Sequence, residues 1–522
     1  MEVVERRAAE EVATLEEARA LIATLGAEVE RLARENEALR QRLDKLCQRI
    51  FARRSEKGLP VPEQGVLAFP PAAGVVRPDA SDEDPGTGER VTRTVVVRQH
   101  HGRRPLPELP RETTVIEPPA TELMCPRCAV PKVRISQDTT QGLDFVPASL
   151  VIREYVRPKY ACPCCQQGVT QAALPARPID KGRPEPGLLA QVVTAKYADH
   201  LPLYRQEQIL WRHGVEISRR TLSEWNGAVA DLLRPIVRSG MKEQLFSSPW
   251  IQCDDTTLAV QTAEGHPQIR TGHMWVYRGM EGEVIYDFTW ARNRAGPLAM
   301  LQGYRGYLQV DAAPAYDEVF TTYAAQLVEV GCWAHGRRYF KEALPSAPVV
   351  AAAIITRLGA LYGLEKAAKA WGAEQRYALR QQQARPILLQ LFATFEEVQP
   401  TVLPKSPLGE ALGYALRNRA ALLRYLEDGR LEIDNNGAER AIKPLVLGRK
   451  NWLFCGSEAA AHRAAVLLSL VQTCKHLEID SFHYLRDVID RVSTHPMRRL
   501  AELTPREWKR LHPAALRRRA TA

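Results

Sequence analysis

A chain of 522 residues, 45% of them hydrophobic, is too long for one ordinary domain and has material for at least one sizeable core. Lys and Arg number 71 against 61 Asp and Glu, and the resulting formal charge of +10 favours a polyanionic partner such as nucleic acid. No apolar segment follows a basic start, and no run reaches the roughly 18 residues of a membrane span, so the expectation is a cytoplasmic protein with no membrane partner.

Residues 1–50 carry a heptad pattern. Ile22, Val29, Asn36, Leu43 and Ile50 recur at one seven-residue step, and Leu25, Leu32, Leu39 and Leu46 at the other, the a and d positions of a coiled coil. Asn36 at a central a position lowers stability but fixes register and favours a parallel dimer. A leucine zipper is expected, although an amphipathic helix packed on its own domain carries the same stripe. Residues 51–113 contain six prolines between Pro60 and Pro85 and the acidic group Asp79, Asp82, Glu83 and Asp84, which cannot build a core. This linker ends in His100-His101-Gly102-Arg103-Arg104-Pro105, an extended basic peptide that suits either a minor groove or plain solvent.

Residues 114–180 hold Cys125-Pro126-Arg127-Cys128 and Cys162-Pro163-Cys164-Cys165, separated by a strand-rich stretch. Two C-x-x-C knuckles offer four thiolates at the bite zinc requires, so Cys125, Cys128, Cys162 and Cys165 are the expected ligands, with Cys164 left out. All four positions would be filled, which makes the zinc structural and worth ~10–16 kcal/mol of apparent folding free energy to a small module. Such clusters fit a reducing cytoplasm better than a disulfide framework.

From residue 181 to 240 the pattern turns helical. Tyr204–Arg212 reads as one helix, His213-Gly214 as a turn and Ser218 as the N-cap of a second helix. Arg219, Arg220 and Ser223 fall on its outer side, and Leu222 and Trp225 face in. This is the pattern of a helix-turn-helix that reads a major groove, and equally of a helical hairpin that reads nothing.

Residues 241–475 change period. Trp250–Val260, Met274–Tyr277, Val284–Trp290, Tyr307–Val310 and Gln326–Val330 read as short strands. The first contains Asp254-Asp255 and the fourth ends in Asp311; a carboxylate inside an apolar strand is costly unless it is paired, caps a turn or binds metal. Farther on, Asp434-Asn435-Asn436-Gly437-Ala438-Glu439-Arg440 has capping-box spacing from Asn436 to Glu439, so Glu439 is either a cap or a ligand. Lys443, Arg449 and Lys450 downstream form a basic stretch suited to phosphates, with Lys443 one turn beyond Glu439 on the same helix face. Residues 341–430 read as a helical insertion whose Arg376, Arg380, Arg385 and Arg417 either track DNA or form a solvated face. His335, Arg337 and Arg338 follow the fifth strand near its acidic neighbours, as DNA contacts or surface links. Residues 476–522 read as a basic tail ending in Arg517-Arg518-Arg519, suited to non-specific phosphate affinity.

Several of these phrases, in this order, resemble the transposases of insertion-sequence family sixty-six. They include Ile50-Phe51-Ala52-Arg53-Arg54-Ser55 after the zipper, Gly102-Arg103-Arg104-Pro105 and the two cysteine knuckles. Leu201-Pro202-Leu203-Tyr204-Arg205, Cys332-Trp333-Ala334-His335, and Asp434-Asn435-Asn436 through Glu439-Arg440 to Gly448-Arg449-Lys450-Asn451-Trp452 complete the set. The resemblance implies a multidomain chain: N-terminal coiled coil, zinc ribbon, helix-turn-helix, then an α/β RNase H-like catalytic domain with an α-helical insertion. It also implies an Asp-Asp-Glu triad. The family's Ala-Asp-Glu-Thr is here Cys253-Asp254-Asp255-Thr256, which makes Asp254 the first acid; its Asp-Gly-Tyr is here Asp311-Ala312-Ala313, which makes Asp311 the second; Glu439 is the third. The implied chemistry is cleavage of the element's DNA ends and joining of the 3′-hydroxyls to target DNA. In-line displacement of this kind uses two Mg²⁺ ions held by carboxylates. A metal-dependent nuclease without joining, or a non-catalytic regulator derived from a transposase, would share most of these features. The implied partners are DNA, a second copy or higher oligomer of the chain and small accessory proteins, at the bacterial nucleoid.

Overall fold

The computed structural model describes residues 19–36, 150–153, 155, 159–160, 170–171, 176–179, 184–262 and 268–513. Arg103, Arg104, the four zinc-ligand cysteines and Leu39, Leu43 and Leu46 lie outside the described residues. Helix α1 spans residues 19–36. Its Ile22 and Val29 are 69% and 65% exposed, and Leu25 and Leu32 are exposed as well, so among the described residues these heptad positions are not buried. A separate compact unit contributes a two-stranded antiparallel hairpin, β1 (Lys159–Tyr160) and β2 (Thr170–Gln171).

Residues 184–262 and 268–513 build one α/β unit. Its first helices are α2 (Pro186–Tyr197), α3 (Leu203–Arg212), α4 (Arg219–Pro235), continued through a wider turn at Ile236–Met241, and α5 (Lys242–Phe246). Five strands follow: β3 (Trp250–Gln261), β4 (Ile269–Gly279), β5 (Val284–Thr289), β6 (Gly306–Gln309) and β7 (Leu327–Val330). Between them lie α6 (Ala295–Leu301) and α7 (Asp317–Thr322). The sheet order is β5-β4-β3-β6-β7; the β3–β4 and β4–β5 pairs are antiparallel, and β6 and β7 run parallel to β3. All five strands fall where the alternation of Val, Ile, Tyr and Trp put them.

Helices α8 (Trp333–Ala343), α9 (Pro348–Ala367), α10 (Ala373–Leu379), α11 (Arg385–Val398), α12 (Pro407–Arg417) and α13 (Arg419–Leu423) form the insertion. The chain then returns through α14 (Asn436–Trp452), α15 (Glu458–His476), α16 (Ser481–Arg491) and α17 (Pro505–Leu511). Both sheet edges are closed. On β5, the amides of Val284 and Tyr286 donate to the hydroxyls of Thr473 and Ser469 on α15. At the end of β7, Gly331 N donates to the Ala421 carbonyl, and Arg424 donates to the carbonyl of Glu329. Edge amides satisfied in this way no longer template another strand.

Ser218 caps α4 as expected, accepting from Thr221 N, and Leu222 is buried. The helical region 181–240 is nevertheless not a separate domain. Leu189 and Val193 of α2 and Val229 and Leu233 of α4 share one core with Ile251, Met274 and Tyr286 of the sheet. The reading of residues 476–522 as a tail is corrected in the same way. Tyr484, Leu485, Val488, Ile489, Leu503 and Trp508 belong to that core, because α16 and α17 present apolar faces that need covering. Helix α9 is long and apolar enough, by length and composition alone, to cross a membrane; Ala351, Ile354, Leu358 and Leu361 pack into the core of the insertion.

The insertion also corrects the reading of Arg376 and Arg380 as DNA-tracking or solvated cations. Arg380 is 1% exposed; its guanidinium donates to Glu365 and to the carbonyls of Tyr425, Asp428 and Leu431. Arg376 donates to Glu365 and Leu431. Arg385 and Arg417 are exposed. Removing one member of a buried, hydrogen-bonded pair leaves a charge without compensation at a cost of about 3–5 kcal/mol. Arg380→Leu is therefore expected to destabilise the protein by about that amount in chemical denaturation, whereas Arg385→Leu should move it by less than about 0.5 kcal/mol.

Candidate catalytic site

The site begins with a pair of glutamines. Strand register places Gln252 of β3 opposite Gln309 of the parallel strand β6. Each is followed two residues later by an aspartate, so Asp254 and Asp311 come to the same level of the sheet. Both glutamines are buried, and buried amides need full hydrogen bonding. Gln252 Nε2 donates to Gln309 Oε1 at 2.9 Å and to the Asp434 carbonyl at 3.0 Å. Gln309 Nε2 donates to the carbonyls of Gly331 (3.2 Å) and Glu432 (2.8 Å), and Arg278 Nη1 donates to Gln252 Oε1 (3.0 Å). The network thus fixes the loop leading into α14 against the two acid-bearing strands. Gly437 is required for this approach, since a Cβ there would fall 2.0 Å from Gln252 Oε1.

Asn435 completes the attachment. Its Nδ2 donates to the Cys253 carbonyl at 2.8 Å, and its backbone N–H to Cys332 Sγ at 3.2 Å. Asn435 is the residue before α14 but does not cap it with its side chain, and Asn436 Nδ2 donates instead to Asp434. The capping-box alternative for Glu439 is not adopted. Glu439 Oε1 is buried without a hydrogen-bond partner; Arg338 Nη2 lies 3.8 Å away and His335 Nε2 3.9 Å away. His335 is held below its usual pKa by burial and by Arg338.

The two adjacent aspartates have different surroundings. Asp254 accepts from the Asp255 amide at 2.8 Å. Burial, reinforced by the nearby carboxylates of Asp311 and Glu439, pushes its pKa up to about 7. Asp255 is 4% exposed and already engaged, by His273 Nδ1 at 2.9 Å and Arg292 Nε at 2.8 Å. Arg292 also reaches Asp311, at 3.7 Å. The uncompensated carboxylate is Asp254. Among the described residues no three His, Cys, Asp or Glu side chains converge as a chelate for a single ion. Arginines from two sides instead frame a spread acidic set.

Asp311 Oδ1 accepts from Ala313 N at 3.1 Å, and the intervening Ala312 has φ +60. A left-handed turn here explains why the related phrase carries glycine. Of the expected DNA-contacting residues, Lys443 and Lys450 are exposed, whereas Arg449 donates to Thr256 and Thr257 of β3 and so pins α14 beside Asp254. Arg219 pairs with Glu207 and Arg220 with Glu224, their side chains remaining 68% and 89% exposed. Sequence reading passed over Gln252, Gln309, Asn435 and Arg292. The signal for the glutamines was present in Gln252-Cys253-Asp254 and Gln309-Val310-Asp311, the same spacing in two strands.

These features define an α/β protein with an acidic cluster bordered by cations, a site suited to hard metal ions and anionic substrates. Comparison with known families narrows the class. The pattern described as "Transposase IS66 family" matches residues 181–463, the "zinc-finger binding domain of transposase IS66" residues 122–166, and the "IS66 C-terminal element" residues 469–506. "Transposase C of IS166 homeodomain" matches residues 38–114. The chain belongs to the IS66 transposase family. Relatives in Sinorhizobium fredii include uncharacterized protein y4hP, 29% identical over 92% of this chain and 90% of its own length. Two others are y4jD, 32% identical over 84% and 87%, and y4qI, 36% identical over 74% and 73%.

Two predictions follow from the local physics. Asp254 titrates near 3.9 when unfolded and near 7 when folded, so the native state holds the extra proton between those values. With a chelator present, stability is expected to fall as pH rises from about 4 to 7, and Asp254→Asn should remove this component from the melting profile. At Ala312, relief of a left-handed backbone (~1–2 kcal/mol) exceeds the unfolded-state entropy that glycine adds (~0.4–1 kcal/mol). Ala312→Gly should therefore stabilise the protein by about 0.5–1 kcal/mol in denaturant titration.

Proposed function

We propose that this transposase is an RNase H-like enzyme that cleaves the ends of its element and joins the resulting 3′-hydroxyls to target DNA, with Asp254, Asp311 and Glu439 as its catalytic acids. The observation that carries the reading is the Gln252–Gln309 register. It levels two carboxylates on neighbouring parallel strands, while Asn435 and Asp434 bring in a third on a helix start. In each step one phosphorus–oxygen bond forms and one breaks. Water supplies the attacking oxygen in the first step, and the freed 3′-hydroxyl does so in the second.

The donor set fits divalent magnesium. The ligands are all carboxylate oxygens, Asp254 is held near 7 by burial among acids, and Glu439 keeps a buried oxygen without a hydrogen-bond partner. Asp254, Asp311 and Glu439 would be the residues that hold the ions. Bound there, the ions would activate the attacking oxygen and neutralise the leaving one. The protein's own groups orient the acids. Asp255 N–H fixes one oxygen of Asp254, Ala313 N–H one oxygen of Asp311, and the glutamine network sets the approach of α14.

The exposed a and d positions of α1 support self-association through a zipper comprising Leu25, Val29, Leu32, Asn36, Leu39, Leu43 and Leu46. Cys125, Cys128, Cys162 and Cys165 are proposed to hold a structural zinc. Arg103, Arg104, Arg219, Arg220, Lys443 and Lys450 are proposed DNA contacts, with Arg449 braced against β3. Small accessory proteins and a nucleoid location in the bacterial cytoplasm complete the reading.

The test is an oligonucleotide assay with Mg²⁺ on DNA bearing the element's own ends. Single alanine substitutions at Asp254, Asp311 and Glu439 are expected to abolish both cutting and joining while leaving end binding intact. Cutting without joining would make the protein a nuclease. Metal-independent binding without cutting, with accessory proteins present, would make it a regulator.

A further inference from the structure

Beside the three acids stand a fourth carboxylate, Asp255, and a cation that it holds, Arg292. Asp255 spends one oxygen on Arg292 Nε at 2.8 Å and the other on His273 Nδ1 at 2.9 Å. Arg292 stands in the loop between β5 and α6, and its side chain is 45% exposed. A guanidinium held through Nε keeps its two outer nitrogens for another partner. The nearest acid to them is Asp311, with Nη2 at 3.7 Å, beyond hydrogen-bond length. We propose that Arg292 binds the non-bridging oxygens of the DNA phosphate under attack and that Asp255 is the positioning residue that aims it. This inference rests on the phosphodiester-transfer reading above.

The physical case is one of charge and geometry. Three carboxylates repel an approaching phosphodiester, and the five-coordinate transition state adds a further negative charge. A fixed, part-exposed cation beside these acids counters both without reorganising during the reaction. The planar fork of arginine matches two phosphate oxygens, which an ammonium does not. The Asp255 side chain is 4% exposed and held on its other oxygen by His273, so the carboxylate that grips Arg292 is itself fixed in place. The arrangement also separates the adjacent aspartates: Asp254 faces the other acids, and Asp255 holds the arginine.

The experiment compares wild type, Arg292→Ala, Arg292→Lys and Asp255→Asn on end duplexes with either a normal phosphate or a neutral methylphosphonate at the scissile position. Mn²⁺ binding to DNA-free protein is measured alongside by calorimetry. On the normal duplex Arg292→Ala should slow cleavage on the order of 10²-fold, with little recovery in Arg292→Lys. On the methylphosphonate the Arg292→Ala defect should shrink to a few-fold. Asp255→Asn should give a smaller loss and leave Mn²⁺ stoichiometry unchanged, and the double variant Asp255→Asn with Arg292→Ala should be scarcely slower than Arg292→Ala alone. Loss of an Mn²⁺ ion in Asp255→Asn, wild-type cleavage by Arg292→Ala, or equal defects on both duplexes would each overturn the proposal. Should the wild type bind ends but not cut them, the phosphodiester-transfer reading itself falls. Arg292 is then judged by binding in Ca²⁺: preference for the normal duplex, erased in Arg292→Ala, is expected, and no preference overturns it.

Discussion

Two buried amides facing each other across neighbouring strands determine most of what surrounds them. The Gln252–Gln309 hydrogen bond sits where a sheet would ordinarily place valine or isoleucine, and it uses up side-chain donors that have no access to water. Their remaining capacity is satisfied by Arg278 and by carbonyls from the chain entering α14. A buried network of this kind is costly when incomplete and specific when complete. It therefore dictates that the helix bearing Glu439 docks at one depth and one angle, and it dictates glycine at position 437.

Around that anchor the molecule separates charges that sequence proximity would confuse. Asp254 and Asp255 are neighbours, yet one is left among acids and the other is paired with Arg292 and hydrogen-bonded to His273. The insertion treats its own charges differently. Arg380 and Glu365 are buried to tie α9 to the segment that returns toward the site, and the cation serves structure alone.

Much of the fold was legible because it follows from period and punctuation. The five strands, the Ser218 cap and the helical insertion all come from side-chain alternation, hydroxyl placement and helical spacing. What escaped the sequence was tertiary. Nothing in Arg376 or Arg380 distinguishes a buried cation from a DNA contact, because burial depends on Glu365 lying across the bundle. The apolar faces of α16 and α17 were obscured by arginines and read as a tail. At the site the three candidate acids and Asn435 lay in family phrases, but the orienting part played by Asn435 and by the two glutamines was not legible, since an amide's role depends on which carbonyls surround it. The Asp311-Ala312-Ala313 phrase was legible in both respects: a missing glycine in the sequence appears as a positive φ in the backbone.

The packing of the last helices on the first also bears on how the chain is made. Gln472 donates to the carbonyl of Tyr197, 275 residues earlier, and the core that joins α2 to the sheet is closed by Tyr484, Val488 and Trp508. On a ribosome adding about 5–20 residues per second, α2 would wait roughly 15–55 s for that partner to be synthesised. Helix α4 and the sheet can cover part of its apolar face earlier, but the core is complete only once residues 484–508 have been added. A copy interrupted shortly before residue 481 would lack the residues that complete this core, and would be a folding defect rather than a simple shortening.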